Sequence, residues 1–173
     1  AGFEVAPKEK LDALALQRRF DRKFLLRMSD APELLARVRD EYRVVLAGGQ
    51  RFALYDTLYF DTPDLRCFHD HRRKRRPRVK VRTRHYADRG LTMLEVKQKT
   101  ASGATHKERV ERAYGAEALV PDERAWLRRV CPPGFPVEQL SVQARTVFYR
   151  LMLVGLRTAE RVTLDFSVAF ERS

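Results

Sequence analysis

The sequence predicts an α+β fold: a mainly antiparallel, barrel-like β-sheet with a few flanking helices. Three observations predict it. Seven segments carry strand-like patterns, against two or three helical ones. Short turn signals, Asp88-Arg89-Gly90 and Ala101-Ser102-Gly103, join the central strands in series. Strand after strand sets apolar residues on one face and long cations on the other, so a sheet curled around the polar face would enclose a basic tunnel.

Each element has its own signal. Residues 1–16 read as a lead-in with a weak helical pattern at Leu11, Leu14 and Leu16, and the domain proper is expected over 17–173. Residues 17–27 read as a strand, with Phe20, Phe24 and Leu26 on one face and Arg19, Asp21 and Lys23 on the other. Ser29-Asp30-Ala31-Pro32 is a helix start, and Leu34, Leu35, Val38 and Tyr42 form the apolar stripe of a helix over about 31–42. Gly48-Gly49 is a turn, after which 51–61 is rich in strand-favouring residues. Thr62-Pro63-Asp64 opens a short helix or turn carrying Cys67, Phe68 and His69. Strands follow at 77–86, 91–99 and 105–114, and then a short helix from Asp122 to Val130, stopped by Pro132-Pro133-Gly134. Strands at 140–154 and 161–170 complete the chain, and no internal repeat is visible.

Composition narrows the function. Thirty-five Lys and Arg against 23 Asp and Glu give a net charge of +12. Nine of those cations lie between Arg72 and Arg84 with no acid among them, and without them the chain is only +3. A local cluster of this kind implies an anionic partner. Two cysteines make neither a disulfide framework nor a four-thiolate zinc site. No apolar run approaches the roughly 20 residues of a membrane span, and residues 1–10 lack the apolar core of a signal peptide. The expected location is cytoplasmic, including the cytoplasmic face of a membrane if another segment or partner tethers the chain.

Alternation places the cations. Over 78–86, Arg78, Lys80, Arg82, Arg84 and Tyr86 share a face opposite Val79, Val81, Thr83 and His85. Glu95, Lys97 and Lys99 share a face opposite Leu94 and Val96, and Thr105, Lys107, Arg109 and Glu111 share the next. Arg161, Thr163, Asp165 and Ser167 oppose Val162, Leu164 and Phe166. Any one such face is ordinary solvated surface. The set is not, because like charges on neighbouring strands repel unless an anion neutralises them. Phosphate would be held by side chains, since the sequence has neither a Gly-rich loop ending in Lys-Ser/Thr nor G-x-G-x-x-G. The four histidines lack metal-ligand spacing, and no Ser-His-Asp arrangement stands out.

These residues resemble a known family. FDRKFLL at 20–26, TLYFDTPDLRCFHDHRRKRRPRVKVRTRHY at 57–86, LEVKQKT at 94–100, THKERV at 105–110, ARTVFYR at 144–150 and ERVTLDFSV at 160–168 are similar to the VTC domain of polyphosphate polymerases and their bacterial relatives, among the triphosphate tunnel metalloenzymes. The resemblance implies a barrel tunnel that binds ATP, triphosphate and inorganic polyphosphate with Mn²⁺ or Mg²⁺. It implies that Arg82 and Arg84 are the R-x-R pair on phosphate and that Lys97 is the Lys of E-x-K. Lys107 completes the catalytic set, and Lys23, Lys99, Arg109, Arg150 and Arg161 line the tunnel. Glu95, Glu111 and Asp165 are the carboxylates available to the metal. In the family pattern further strands, with the metal-binding Glu, follow the segment resembling RVTLDFSV; here the sequence runs to Ser173, so either this sequence is incomplete or the domain is truncated, with a barrel that is open or completed by another segment.

The leading expectation is a polyphosphate polymerase, transferring the ATP γ-phosphoryl group to a growing chain. A triphosphate or polyphosphate hydrolase, an inactive polyphosphate-binding module and a nucleic-acid-binding module are the alternatives. The last is disfavoured because the cations alternate along strands and match no nucleic-acid motif.

Overall fold

The computed structural model of the chain describes residues 2–7, 9 and 21–172. The lead-in helix pattern at Leu11–Leu16 and the start of the expected first strand lie outside them. Among the described residues are helices α1 (Ala31–Val38), α2 (Arg66–Arg72) and α3 (Pro121–Val130). The strands are β1 (Tyr42–Val44), β2 (Phe52–Asp61), β3 (Arg78–Tyr86), β4 (Leu91–Lys99), β5 (Thr105–Glu111), β6 (Ser141–Gly155) and β7 (Arg161–Arg172). The fold is therefore α+β on an antiparallel sheet, as the alternation predicts.

The chain divides into two compact units, Ala1–Ala53 with Arg150–Phe166, and Leu54–Tyr149 with Ser167–Ser173. In the first, β1 pairs with the end of β6, Tyr42 opposite Gly155 and Val44 opposite Leu153. Its core is Phe3, Val44, Leu151 and Leu153, with Leu35 and Val38 of α1 packed on them. Tyr42 belongs to this strand and not to the helix, which ends at Val38. Tyr42-Arg43-Val44 is strand-favouring sequence, and pairing with β6 satisfies its backbone.

The expected strand over 17–27 is not formed where it is described. Residues 21–27 have no regular secondary structure, and Phe24 and Leu25 are exposed at 84% and 105%. The reason is visible in the sequence: Phe24, Leu25 and Leu26 are consecutive, so the segment has no single apolar face to bury.

In the second unit the order is β6-β2-β3-β4-β5. The apolar alternates Phe60, Val79, Val81, Leu94 and Val96 point to one side, where Leu127 of α3 is buried among them. Pro121 opens α3 and the Glu123 carboxylate accepts the Val120 N–H at 3.0 Å. Arg112 ties the same side together. Its Nη1 donates to Thr83 Oγ1 at 2.8 Å and its Nη2 to the Ala118 carbonyl at 2.9 Å, while Nε faces Glu123 as an ion pair at 3.0 Å without hydrogen-bond alignment.

Asp61 anchors the turn from β2 into α2. It is buried, and it accepts backbone N–H bonds from Thr62 and Cys67 at 2.8 Å and from Phe68 at 2.9 Å. Replacing it with Ala strands three N–H groups. Asp61→Ala should cost about 3 kcal/mol, a fall of roughly 6–12 °C in the thermal midpoint of a domain this size. A midpoint within 2 °C of wild type in a thermal melt would contradict that role.

Candidate functional site

Register brings the predicted cations of β3, β4 and β5 onto one face, opposite the apolar core. Read across the strands, one row is Thr57, Arg84, Met93 and Glu111. The next is Tyr59, Arg82, Glu95 and Arg109. Beyond it come Lys80, Lys97 and Lys107, then Arg78, Lys99 and Thr105. Neighbours within a row are about 4.8 Å apart and successive rows about 6.6 Å apart. That spacing suits a ligand with an anionic group every few ångströms.

Glu95 organises the centre of this face and is only 1% exposed. Its Oε2 accepts from Arg82 Nε at 2.8 Å and forms an ion pair with Arg82 Nη2 at 2.6 Å. Its Oε1 accepts from Lys107 Nζ at 2.6 Å and from the Tyr86 hydroxyl at 3.2 Å. Burial alone would push this carboxyl up, but Lys107 and Arg82 outweigh it and hold the carboxyl below its ordinary value. One buried anion thus fixes two cations, from β3 and β5, in position.

Arg84 has no such anion. It is 8% exposed. Its Nε donates to Thr57 Oγ1 at 3.1 Å, and its guanidinium lies 5.1 Å from the Tyr55 ring centre and 5.8 Å from that of Phe148. Among the described residues no carboxylate lies within ion-pair distance of it. Burial, and then the neighbouring Arg82, pull its pKa down, yet a guanidinium stays charged. A buried cation held by a hydroxyl and two rings is costly unless an anion arrives from outside.

The other expected site residues fall into three groups. Lys97, Lys99, Lys107 and Arg109 sit on the same face as Arg82 and Arg84, with Lys97, Lys107 and Arg109 toward solvent. Arg150, Arg161 and Asp165 belong to the first unit, where Arg150 grips Asp165 through two bonds of 2.6 and 2.7 Å. Arg161 is exposed at the start of β7. Lys23 is exposed on the irregular segment 21–27, not on a strand as expected.

The three carboxylates offered to a divalent metal do not make a cage. Glu95 commits both oxygens to cations and Tyr86, Asp165 commits both to Arg150, and Glu111 lies beside Met93 in register, in the row of Arg84. Among the described residues no three His, Cys, Asp or Glu side chains converge. The described carboxylates thus form no all-protein cage; Mg²⁺ in phosphate sites is commonly held by one or two carboxylates together with substrate phosphates and water.

Several contributors carried no sequence signal. Thr57, Tyr55 and Phe148 support Arg84, but nothing local marks them. Behind the sheet, Arg145 binds Asp56 at 2.8 and 2.9 Å, and the Tyr114 hydroxyl donates to Asp56 at 3.1 Å. Those bonds from Arg145 chiefly hold the Asp56 carboxyl below its ordinary value. The Tyr114 ring stacks on His85 at 3.8 Å. Asp56 and Arg145 are 89 residues apart, beyond any motif.

Residues 18–124, more than half of the chain, match the VTC domain. The chain belongs to the VTC domain family. Membership carries with it the polyphosphate-related tunnel fold that the motifs of β3, β4 and β5 suggested, and the match covers all three strands. None of the curated proteins matches the chain. No helix of the described residues in this VTC domain is long and apolar enough to cross a membrane.

Proposed function

We propose that this VTC domain is a polyphosphate polymerase, transferring the γ-phosphoryl group of ATP to the end of a polyphosphate chain held on the face of β3, β4 and β5. The observation that carries the reading is Arg84, a buried cation without a carboxylate in the row next to the Arg82–Glu95–Lys107 cluster. In the transfer, a terminal oxygen of the chain bonds to the γ-phosphorus as the bond from that phosphorus to the β-bridging oxygen breaks, and ADP leaves with the electron pair. The phosphates bring their own nucleophile and leaving group. The protein's part is to position them and to neutralise charge.

Arg82 and Arg84 suit that part because each forks onto two phosphate oxygens and stays charged. Lys97 and Lys107 add point charges. Glu95 positions Arg82 and Lys107 and does not touch phosphate. Lys99 and Arg109 extend the face, and Arg150, Arg161 and Lys23 are proposed as further phosphate contacts. Mn²⁺ or Mg²⁺ is proposed to be required. The described carboxylates supply no cage for it, and no step above depends on one.

The test is incubation with ATP in Mg²⁺ or Mn²⁺ buffer, with polyphosphate resolved by gel and ADP measured in parallel. The expected result is chain growth with one ADP per phosphate added. Arg82→Ala and Lys97→Ala should each slow it roughly 100- to 1000-fold, or about 3–4 kcal/mol in the barrier. Arg82→Lys should recover only part. Orthophosphate as the sole product would make this VTC domain a hydrolase, and polyphosphate binding without turnover would make it a binding module. Wild-type rates in Arg82→Ala would remove the reading.

A further inference from the structure

We infer that the exposed run Arg72–Arg76 is a docking track on which a linear polyphosphate chain continues after it leaves the strand face. This rests on the reading of that face as a phosphate site.

Position is the first argument. The run ends where β3 begins, separated from Arg78 only by Pro77. Arg78 is level with Lys99, the last residue of β4, and with Thr105, the first of β5. The track therefore adjoins one defined end of the face, the end away from Arg84. Arg76 bends over the turn between β4 and β5, its guanidinium 3.1 Å from where a Cβ on Gly103 would sit. That places its charge over the turn that closes the same end.

Charge is the second argument. Within β3, β4 and β5 the carboxylates of this face are Glu95 and Glu111, both in the two rows toward Arg84. The two rows nearest the track hold Arg78, Lys80, Lys97, Lys99 and Lys107 and no acid. Asp61 of β2 is already occupied by backbone N–H groups. The face thus grows more positive toward the loop, and a polyanion is drawn that way.

The loop itself is the third. Residues 72–76 are all exposed. Arg75 pairs with Asp70 at 3.3 Å, while Arg72, Arg73, Lys74 and Arg76 have no ion pair among the described residues. Proximity to the α2 C-terminus accounts for Arg72, but not for three more cations beyond it. Four cations without an ion pair among the described residues, adjoining a face that is itself cationic, suit a linear polyanion that runs from one to the other.

The experiment is calorimetric titration of wild type and of the quadruple variant Arg72→Gln, Arg73→Gln, Lys74→Gln, Arg76→Gln. The probes are tripolyphosphate and long-chain polyphosphate, each at several salt concentrations. The variant should lose roughly tenfold or more in long-chain affinity at low salt, and its log-affinity against log-salt slope should shrink by about 3–4. Its tripolyphosphate affinity should change less than threefold, which also reports that it is folded. Equal long-chain affinity and slope in the two proteins would overturn the track while leaving the strand face standing. Absence of tripolyphosphate binding in wild type would instead sink the strand-face reading. Tighter binding of duplex DNA or single-stranded RNA at matched charge, lost in the variant, would assign the run to nucleic acid and overturn the proposal.

Discussion

Arg84→Met should bind tripolyphosphate roughly 10- to 100-fold more weakly than wild type, yet be no less stable without ligand. Both halves follow from one geometry. A charged hydrogen bond to phosphate is worth about 1.5–3 kcal/mol, and 1.4 kcal/mol is a factor of ten in affinity. In the free protein the same charge is 8% exposed and has no described carboxylate within ion-pair distance. Exchanging an unpaired buried charge for an apolar side chain of similar length removes a desolvation cost. Against that stand the bond to Thr57 and the contacts with the Tyr55 and Phe148 rings, the ring contacts worth about 0.5–1 kcal/mol each. The net change in a chemical melt should lie between zero and a gain of about 2 kcal/mol. A loss above about 2 kcal/mol would mean that Arg84 is a structural cation with an anion inside the protein.

The opposite pattern is expected at Glu95. Glu95→Gln leaves Arg82 and Lys107 without their shared anion, and breaking a buried ion pair from one side costs about 3–5 kcal/mol. Lys107 keeps 43% of its side chain exposed and can turn to water, so the lower end applies, about 3 kcal/mol. The thermal midpoint should fall by roughly 6–12 °C. The pH dependence has a definite sign. The carboxyl's folded-state pKa lies below its ordinary value. Its contribution is therefore complete above the unfolded-state value and is lost as pH falls through the folded one. Wild-type stability should decline on acidification below about pH 4.3, the ordinary Glu value, and the decline should be shallower in Glu95→Gln. Parallel pH profiles for the two proteins would show that Glu95 is not the titrating anion. On this account stability and phosphate binding separate: Glu95 holds the face together, and Arg84 is proposed to serve the ligand.

Much of this face was legible in the sequence. Alternation over 78–86, 91–99 and 105–111 assigned the cations to one side, and the structure has them there because the partner side is the core of Phe60, Val81, Leu94 and Val96. Which cation meets which anion was not legible. Sequence spacing does not say that Glu95 lies level with both Arg82 and Arg109, because that depends on the register of two separate turns. Nor does it say that Arg84 is buried, which depends on Thr57, Tyr55 and Phe148 from other strands. The strand expected around Lys23 is absent from residues 21–27 for a local reason: a cation between Phe20 and Phe24 reads as one side of a strand only if Leu25 is overlooked. Asp165 looked available for a metal on its strand face, but strand pairing sets Arg150 against it.

The most direct test of the account is a crystal structure of the protein with tripolyphosphate bound. The account predicts phosphate oxygens within hydrogen-bond reach of the Arg84 and Arg82 guanidinium groups, with the chain directed toward Lys97 and Arg78. Tripolyphosphate seated elsewhere, with Arg84 still facing only Thr57, Tyr55 and Phe148, would contradict it.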